Sequence, residues 1–487
     1  MSEHNHNLQE VEKFVQWRKN LYYCLGIGKD AQLDLLDALS SNREAKTVVE
    51  LSLNPLFKRK YHSIYRAIKS VNKPQKESKN NENNEDKEEN KDELLIVLLE
   101  TIPPNNKREY HLFGIDTTPN PRQFAPTLTD KKVVYQPNSI QGNKPINVGH
   151  SYSWLCYLPE KEPNFNAAWT IPLSVERVKS DDKDVNVANQ QLKKILENSQ
   201  HFANKLSLIV VDSLYSQRNF IGEQVKNKDR VVVTRVRSNR VFYRPFYLPE
   251  PSVSQSGHPR WYGDKFDLKD SDSWSSPDEV IHSHFTTSRG KLLNLTIQGW
   301  KNMLMRGTKA YKLHNYPFTL LQITLTDQEG NLVGKPMWLI AIGDRRNELS
   351  LLDIYQSYRQ RYDLEHFFRF GKQRLLMNSF LTPDTEQEEN WVNLTLIAYV
   401  NLWAARNLAD CFPRDWEKYL PSFKAHNITP SVVQRDFFRI ISTLGISAVS
   451  PKPRGFSSGR KKGEIQVKRP QHQVIKKGKK CQPSPSI

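Results

Sequence analysis

Short apolar segments with the pattern of β-strands dominate the middle of the chain. Between residues 110 and 236 these segments are YHLFGID, YSWLCYLP, AAWTIPLSV, LSLIVVDS and RVVVTRV. A segment with helical periodicity, NQQLKKILENSQHFA, precedes the fourth of them. Several strands followed by a helix and another strand predict a mixed sheet covered by helices, so we expect an α/β fold.

The residues before these strands indicate two further regions. Residues 1–71 carry apolar residues three and four apart, together with basic residues and tyrosines, and predict a helical module. Its charged face either binds DNA or is simply solvated. Residues 72–93 contain no aliphatic or aromatic side chain and predict a flexible polar linker. The first part of the core is then expected in residues 94–240.

The pattern changes again in the second half of the chain. Residues 241–345 are rich in Pro, Trp, Ser and short β segments, which mainly predicts a β-rich insertion that returns to the core sheet. Residues 346–450 contain long helical segments and complete the core. The tail at 451–487 holds eleven Lys and Arg residues against one Glu, and it either clamps nucleic acid or serves as a solubilising tail.

Charge and cysteine usage narrow the class of protein. Lys and Arg exceed Asp and Glu to give a net charge of +18. This charge favours a protein that binds a polyanion over a basic protein without such a partner. Four scattered cysteines without a CxxC pair indicate neither disulfides nor a zinc site and fit a reducing compartment. With no signal peptide and no apolar run long enough to span a bilayer, we expect a cytoplasmic protein that does not contact membranes.

Two of the predicted strands end in an aspartate. Asp116 ends YHLFGID and Asp212 ends LSLIVVD. An apolar strand that finishes in a carboxylate presents that group at the edge of a sheet, where a metal ion can reach it. Either aspartate alone is a weak indication, because Asp often only caps a helix or begins a turn.

A third acid lies on a predicted helix containing YRQRYDLEHFFRFGK. Five polar residues there are spaced so that they share one helix face: Tyr358, Arg361, Glu365, Arg369 and Lys372. The opposite side is expected to be buried and consists of Leu364, Phe367 and Leu375. Ion pairs on a solvated helix would give the same spacing, so this face is only suggestive by itself.

The pattern Tyr358-x2-Arg361-x3-Glu365-x6-Lys372 resembles the YREK signature of bacterial insertion-sequence transposases of the IS-four type. The resemblance implies an RNase H-like core, similar to that of retroviral integrases, interrupted by a β-rich insertion. It also implies a DDE triad of Asp116, Asp212 and Glu365. This chain departs from the family after the signature arginine, where members often carry Trp.

The implied chemistry is metal-dependent cleavage and transfer of DNA strands. The triad would be both catalytic and metal-binding, with two Mg²⁺ or Mn²⁺ ions per site, because carboxylate oxygens suit hard cations. The DNA contacts expected from the helix face are Tyr358, Arg361, Arg369 and Lys372. The implied partners are the terminal inverted repeats of an insertion sequence and a target DNA, so the protein would associate with the bacterial nucleoid.

Assembly and alternatives follow from the same resemblance. Excision requires cuts at two DNA ends, so a homodimer is expected in the DNA complex, with residues 389–409 as a candidate contact surface or an ordinary core helix. Trp300 is a candidate for the aromatic residue that would stack against a flipped DNA base. The alternative functions are a catalytically silent DNA-binding derivative and an RNase H-like DNA nuclease.

Overall fold

The chain divides into two compact units in the computed structural model. Unit 1 comprises Met1–Pro104, Thr117–Asp184 and Asp363–Ile487, and unit 2 comprises Asn105–Asp116 and Val185–Tyr362. The structure describes residues 2–71, 84–135, 146–161, 167–246, 260–287, 290–409, 428–452, 463 and 468–474. Most of the basic tail at 451–487 and residues 72–83 of the predicted linker lie outside these ranges.

Helices and strands alternate along the described residues. The helices are α1 (Ser2–Cys24), α2 (Lys29–Ser40), α3 (His62–Lys69), α4 (Asn84–Leu99), α5 (Asp184–Asn198), α6 (Arg218–Gln224), α7 (Leu351–Gln360), α8 (Tyr362–Arg374), α9 (Thr385–Ala404) and α10 (Pro430–Leu444). The strands are β1 (Tyr110–Pro121), β2 (Lys132–Tyr135), β3 (Ile146–Tyr157), β4 (Ile171–Val178), β5 (Leu206–Val211), β6 (Arg230–Val236), β7 (Val241–Pro245), β8 (Tyr262–Asp267), β9 (Glu279–Thr286), β10 (Leu292–Met303), β11 (Phe318–Thr326) and β12 (Met337–Ile342). Among these helices none is long and apolar enough to cross a membrane.

Helix α9 forms the centre of unit 1. It packs against α2, α3, α10 and β4. The residues that made it a candidate contact surface are buried, with relative exposures of 0–3%: Trp391, Leu394, Leu396 and Trp403. A helix that is apolar on all sides has to be covered by its own fold. The interpretation of this helix as a dimer surface is therefore wrong, and the core interpretation is confirmed.

The N-terminal helices belong to the same compact unit. Arg18 of α1 forms a buried ion pair with Asp37 of α2 at 2.7 Å, and its guanidinium also donates to Asn401 of α9 at 3.2 Å. Helix α2 also packs against α9, whereas the division at residue 71 stays a prediction. Residues 84–93, predicted as linker, lie in α4. A role of residues 1–71 in DNA binding stays a prediction.

Unit 2 is built on a mixed sheet with the order β1-β5-β6-β12-β11-β10-β9. The strands β1, β5 and β6 run parallel, and the pairs from β6 to β9 are antiparallel. Helix α7 packs against β5, β6 and β10. This confirms the predicted α/β class. Strands β9–β12 of the predicted insertion extend the sheet itself, and β7 pairs with β8 in a separate two-stranded sheet.

The predicted long helix around Glu365 is interrupted. Helix α7 ends at Gln360, and α8 begins at Tyr362. Between them the Arg361 N–H donates to the Tyr358 carbonyl oxygen at 3.1 Å, which is the tighter hydrogen bond typical of a helix end. Arg361 itself keeps helical dihedral angles, and a face shared by the five polar residues stays a prediction. The apolar side of this region is buried as predicted, at Leu364, Phe367 and Leu375.

The packing of α9 predicts a large loss of stability on truncation. Leu394→Ala is expected to lower the free energy of unfolding by about 2–5 kcal/mol, because it leaves a cavity at a position that is 0% exposed. Chemical denaturation measures this change. The matched control is Leu381→Ala at a residue that is 74% exposed, for which we expect a change within about 0.5 kcal/mol. Equal effects of the two variants would contradict the core position of α9.

Candidate active site

Asp116 of β1 and Asp212, which directly follows β5, occupy neighbouring positions in the register of two parallel strands of unit 2. The register pairs Ile115 of β1 with Val211 of β5, so the next position on each strand is an aspartate. Neighbouring strands are about 4.8 Å apart, and paired side chains of parallel strands point to the same face. Both aspartates are partly exposed. The sequence had suggested that Asp116 ends its strand. Strand β1 continues to Pro121, however, and only its pairing with β5 stops before Asp116.

The local structure around Asp212 fixes its position. Its side chain caps the short 3-10 helix Ser213–Tyr215 by accepting a hydrogen bond from the Leu214 N–H at 2.8 Å. The Thr234 hydroxyl of β6 donates to the Asp212 carbonyl oxygen at 2.7 Å. Asp212 therefore has the capping role that an aspartate often has after a strand, and this role also orients its carboxylate.

Arg361 supplies the positive charge next to Asp116. Its guanidinium Nη1 lies 3.0 Å from Asp116 Oδ2, and the two side chains are 15% and 22% exposed. Arg361 follows the last turn of α7, so the end of that helix brings a cation to the pair of aspartates. A charge-assisted hydrogen bond of this kind is stronger than a neutral one. Arg361, predicted as a DNA contact, thus forms an ion pair with one of the predicted acids within unit 2.

Tyr358 is buried beneath this charged group and is not a surface residue of the helix. It is 8% exposed, and burial raises the pKa of its phenol above the ordinary value. Arg361 and Arg235 lower the pKa of the phenol and Asp212 raises it, which places Tyr358 within electrostatic range of all three groups. The phenol therefore stays protonated at neutral pH and can only donate to an anion.

Arg235 is a member of this group that the sequence interpretation missed. The β5–β6 register pairs Val211 with Thr234, so Arg235 occupies the next position, beside Asp212. Arg235 is exposed, whereas Thr234 and Val236 on either side are buried. The signal available in the sequence was an arginine at the next-to-last position of the apolar segment RVVVTRV.

The remaining signature residues lie on α8 in unit 1. Glu365 and Arg369 are exposed and one helical turn apart, and Lys372 is partly exposed. The opposite side of α8 is anchored by Phe367, whose ring meets Trp154 of β3 edge to face with 5.0 Å between centroids. This anchoring fixes which side of α8 faces solvent.

A buried acid, Asp363, precedes Glu365 on α8. Burial raises the pKa of Asp363 to about 6, against the opposing effect of Lys161, whose Nζ lies 3.0 Å from its Oδ2. Asp363 is therefore a structural partner of Lys161 and a poor candidate for a metal ligand. Glu365 is the acid of α8 that is exposed to solvent.

The chemistry of the Asp116–Asp212 pair fits a hard divalent cation. Two carboxylates on one face of adjacent strands repel each other, and oxygen ligands of this type suit Mg²⁺ or Mn²⁺. Among the described residues, no group of three or more His, Cys, Asp or Glu side chains lies close enough to hold a metal ion. The metal site of Asp116, Asp212 and Glu365 is thus a prediction, and the strand register is the observation that supports the first two of these residues.

The aromatic residue suggested for a flipped base is not available in this structure. Trp300 is 1% exposed, and its indole N–H donates to the Ser275 carbonyl oxygen at 2.8 Å. It packs edge to face against Phe266 and lies next to Trp338. Trp300 is therefore a core residue of unit 2, and the suggestion is wrong.

Comparison with known proteins identifies a family. A family model described as DDE superfamily endonuclease matches residues 20–303, which is more than half of the chain. The matched range contains Asp116 and Asp212 and ends before Glu365. No curated protein matches the chain. The mixed α/β sheet of unit 2 is consistent with the RNase H-like core expected for such a protein.

The carboxylate pair predicts metal binding that depends on charge. We expect Mg²⁺ or Mn²⁺ to raise the melting temperature of the protein, since a free concentration about 100-fold above the Kd contributes about 2.7 kcal/mol. Asp212→Asn should abolish this shift, because the amide oxygen can still cap Leu214 but carries no charge. Thermal unfolding with and without the ion measures it. Asp272→Asn, at an exposed aspartate of unit 2, is the control and should keep the full shift.

Proposed function

The chain belongs to the DDE superfamily endonuclease family, and from this premise we propose that it is a DNA transposase of the IS-four type. It would cut DNA at the ends of an insertion sequence and join those ends to a target. The observation that carries the proposal is the register that pairs Ile115 with Val211, because Asp116 and Asp212 are the next residues after this pair. Membership of the family indicates a nuclease-type enzyme with DNA as substrate; transposition is the more specific step.

Asp116, Asp212 and Glu365 are the residues that would hold the metal ions. Members of this superfamily generally use divalent metal ions, and Mg²⁺ or Mn²⁺ is expected for an all-carboxylate ligand set. When bound, two such ions would supply Lewis-acid activation of a water or a 3′-hydroxyl and charge stabilisation for the leaving oxygen. The short cap at Asp212 and the hydrogen bond from Thr234 to its carbonyl oxygen keep the Asp212 carboxylate in place before any ligand arrives.

The cations and the phenol around the pair have separate roles in this proposal. Arg361 offsets the charge of Asp116 in the free protein, and its planar guanidinium can bind a phosphate with two parallel hydrogen bonds. Tyr358, held protonated by burial, can donate to the same anion. Arg369 and Lys372 lie on the exposed side of α8, where they would contact the DNA backbone.

Two other functions are compatible with the same family. A silent DNA-binding derivative would keep the fold and lose the chemistry, although such a protein has no need of the in-register carboxylates. An RNase H-like nuclease would cut DNA without joining it to a target. A strand-transfer assay distinguishes the nuclease from the transposase, because only the transposase yields products in which the element ends are joined to target DNA.

Cleavage should depend on each of the three acids and on a divalent metal. With DNA from both sides of its gene as substrate, the protein is expected to cut in Mg²⁺ or Mn²⁺ and to be inactive in EDTA. Asp116→Asn, Asp212→Asn and Glu365→Gln should each lower the cleavage rate by at least about 100-fold, since each removes a carboxylate charge that would hold the metal ions at the reacting phosphate. Gel analysis of the DNA products measures the rate.

The control for the cleavage variants is again Asp272→Asn, which removes an exposed carboxylate of unit 2 away from the strand ends. It should cut at the wild-type rate. DNA binding by the three acid variants, measured in EDTA, should remain close to that of the wild type. Full cleavage by any one of them would remove that residue from the proposed site.

The proposed excision reaction also predicts a dimer on DNA. One set of three acids can act on one phosphodiester region at a time, whereas excision needs cuts at two distant ends, so two copies related by two-fold symmetry are expected. Native mass measurement of the protein with element-end DNA should show two protein chains per complex. Efficient cutting of both ends by a complex with a single chain would contradict this assembly.

A further inference from the structure

Four arginines gather around the ends of β5 and β6 in unit 2. We name this group the arginine cluster; it consists of Arg218, Arg235, Arg237 and Arg240. Arg218, Arg235 and Arg237 are exposed, and Arg240 is partly exposed. Among the described residues, no carboxylate forms an ion pair with any of the four. A local concentration of positive charge of this kind attracts an anionic partner.

The strand register places the first of these arginines next to the aspartate pair. Because Ile115, Val211 and Thr234 form one row across β1, β5 and β6, the next row reads Asp116, Asp212, Arg235. The Arg235 side chain therefore points to the same face as both carboxylates. Its effect on the pKa of the Tyr358 phenol agrees with this direction, since α7 covers that face.

The other members lie close to the segment that follows Asp212. The Arg240 Nη2 donates to the carbonyl and hydroxyl oxygens of Ser216 at 3.3 and 3.2 Å, which braces the turn that begins at Asp212. Burial lowers the pKa of Arg240, and the positive charges of Arg218 and Arg237 lower it further. These three guanidinium groups are thus close enough to repel one another.

Repulsion among the guanidinium groups favours the binding of an anion. An anion bound between them would relieve the repulsion, and guanidinium groups bind phosphates through paired hydrogen bonds. A polymer with one phosphate per nucleotide would satisfy several of them at once, whereas a small anion would satisfy one. Because Arg235 lies in the same row as the two aspartates, the polymer would run from the aspartates towards the end of β6.

We propose that the arginine cluster binds successive phosphates of the DNA strand that reaches Asp116 and Asp212. Arg218, Arg235 and Arg237 contact the phosphates, and Arg240 positions the turn after Asp212. This inference rests on the proposed function for its choice of DNA as the polymer. It adds to that function a binding surface outside the signature residues on α7 and α8, formed by the end of β6 and the start of α6.

The salt dependence of DNA binding tests this surface. Binding to a duplex of mixed sequence is measured in EDTA over a range of salt concentrations, for the wild type and for Arg235→Gln/Arg237→Gln. Each lost phosphate contact reduces the slope of log K against log salt by about 0.9, so the double variant should lose about 1.8. The charge-preserving variant Arg235→Lys/Arg237→Lys should recover most of the slope.

A matched control separates local contact from net charge. Lys309→Gln/Lys335→Gln removes the same charge from exposed positions of unit 2 and should leave the slope nearly unchanged. A wild-type slope in the Arg235→Gln/Arg237→Gln variant, or an equal loss in the lysine control, would overturn the proposal. Melting temperature checks folding; if the double variant is unfolded, Arg237→Gln alone decides, with an expected loss of about 0.9.

The outcome is distinct from that of the cleavage assay. A protein that loses slope in the arginine variants but never cuts DNA refutes the proposed enzyme and supports the binding surface. A protein that cuts DNA while its slope is insensitive to Arg235 and Arg237 refutes the binding surface and supports the enzyme.

Discussion

Two carboxylates at neighbouring positions of parallel strands repel each other, and in unit 2 each of them has a partner that stabilises its negative charge. At about the spacing of neighbouring strands, two unit charges repel by roughly 3 kcal/mol when the effective dielectric constant is about 20. Arg361 offsets Asp116 directly, and the Leu214 N–H stabilises the charge of Asp212. A divalent cation bound between the two carboxylates would offset the remaining repulsion.

Unit 1 contains a second, buried set of charges with a supporting role. Arg122, which follows β1, donates to the carbonyl oxygens of Phe380 and Thr382 and lies 3.3 Å from the carboxylate of Glu388. Glu388 also accepts a hydrogen bond from the Tyr152 hydroxyl at 2.8 Å. This group ties the residues after β1 to the loop after α8 within unit 1. Removing one partner of such a buried pair leaves an unpaired charge, which typically costs about 3–5 kcal/mol.

The parts of the candidate site that were predictable share a local signal. Asp116 and Asp212 were identified because each follows an apolar strand segment, and burial of Leu364 and Phe367 followed from helical spacing. Arg235 carries a similar signal at the end of β6, but an arginine there also fits a solvated strand end. Its importance depends on which strands are neighbours, and a single sequence does not state the order of strands in a sheet.

The sequence by itself determined the α/β class, the positions of most strands, and the two aspartates, because these depend on local periodicity and on residue type. The tertiary structure decided how those pieces combine. The break at Arg361 arises where the chain passes from unit 2 to unit 1. Trp300 and α9 are apolar enough for either a surface or a core in the sequence, and packing assigned both to the core. Strand register places Asp116, Asp212 and Arg235 in one row. These residues are far apart along the chain, so only the folded sheet fixes which of them become neighbours.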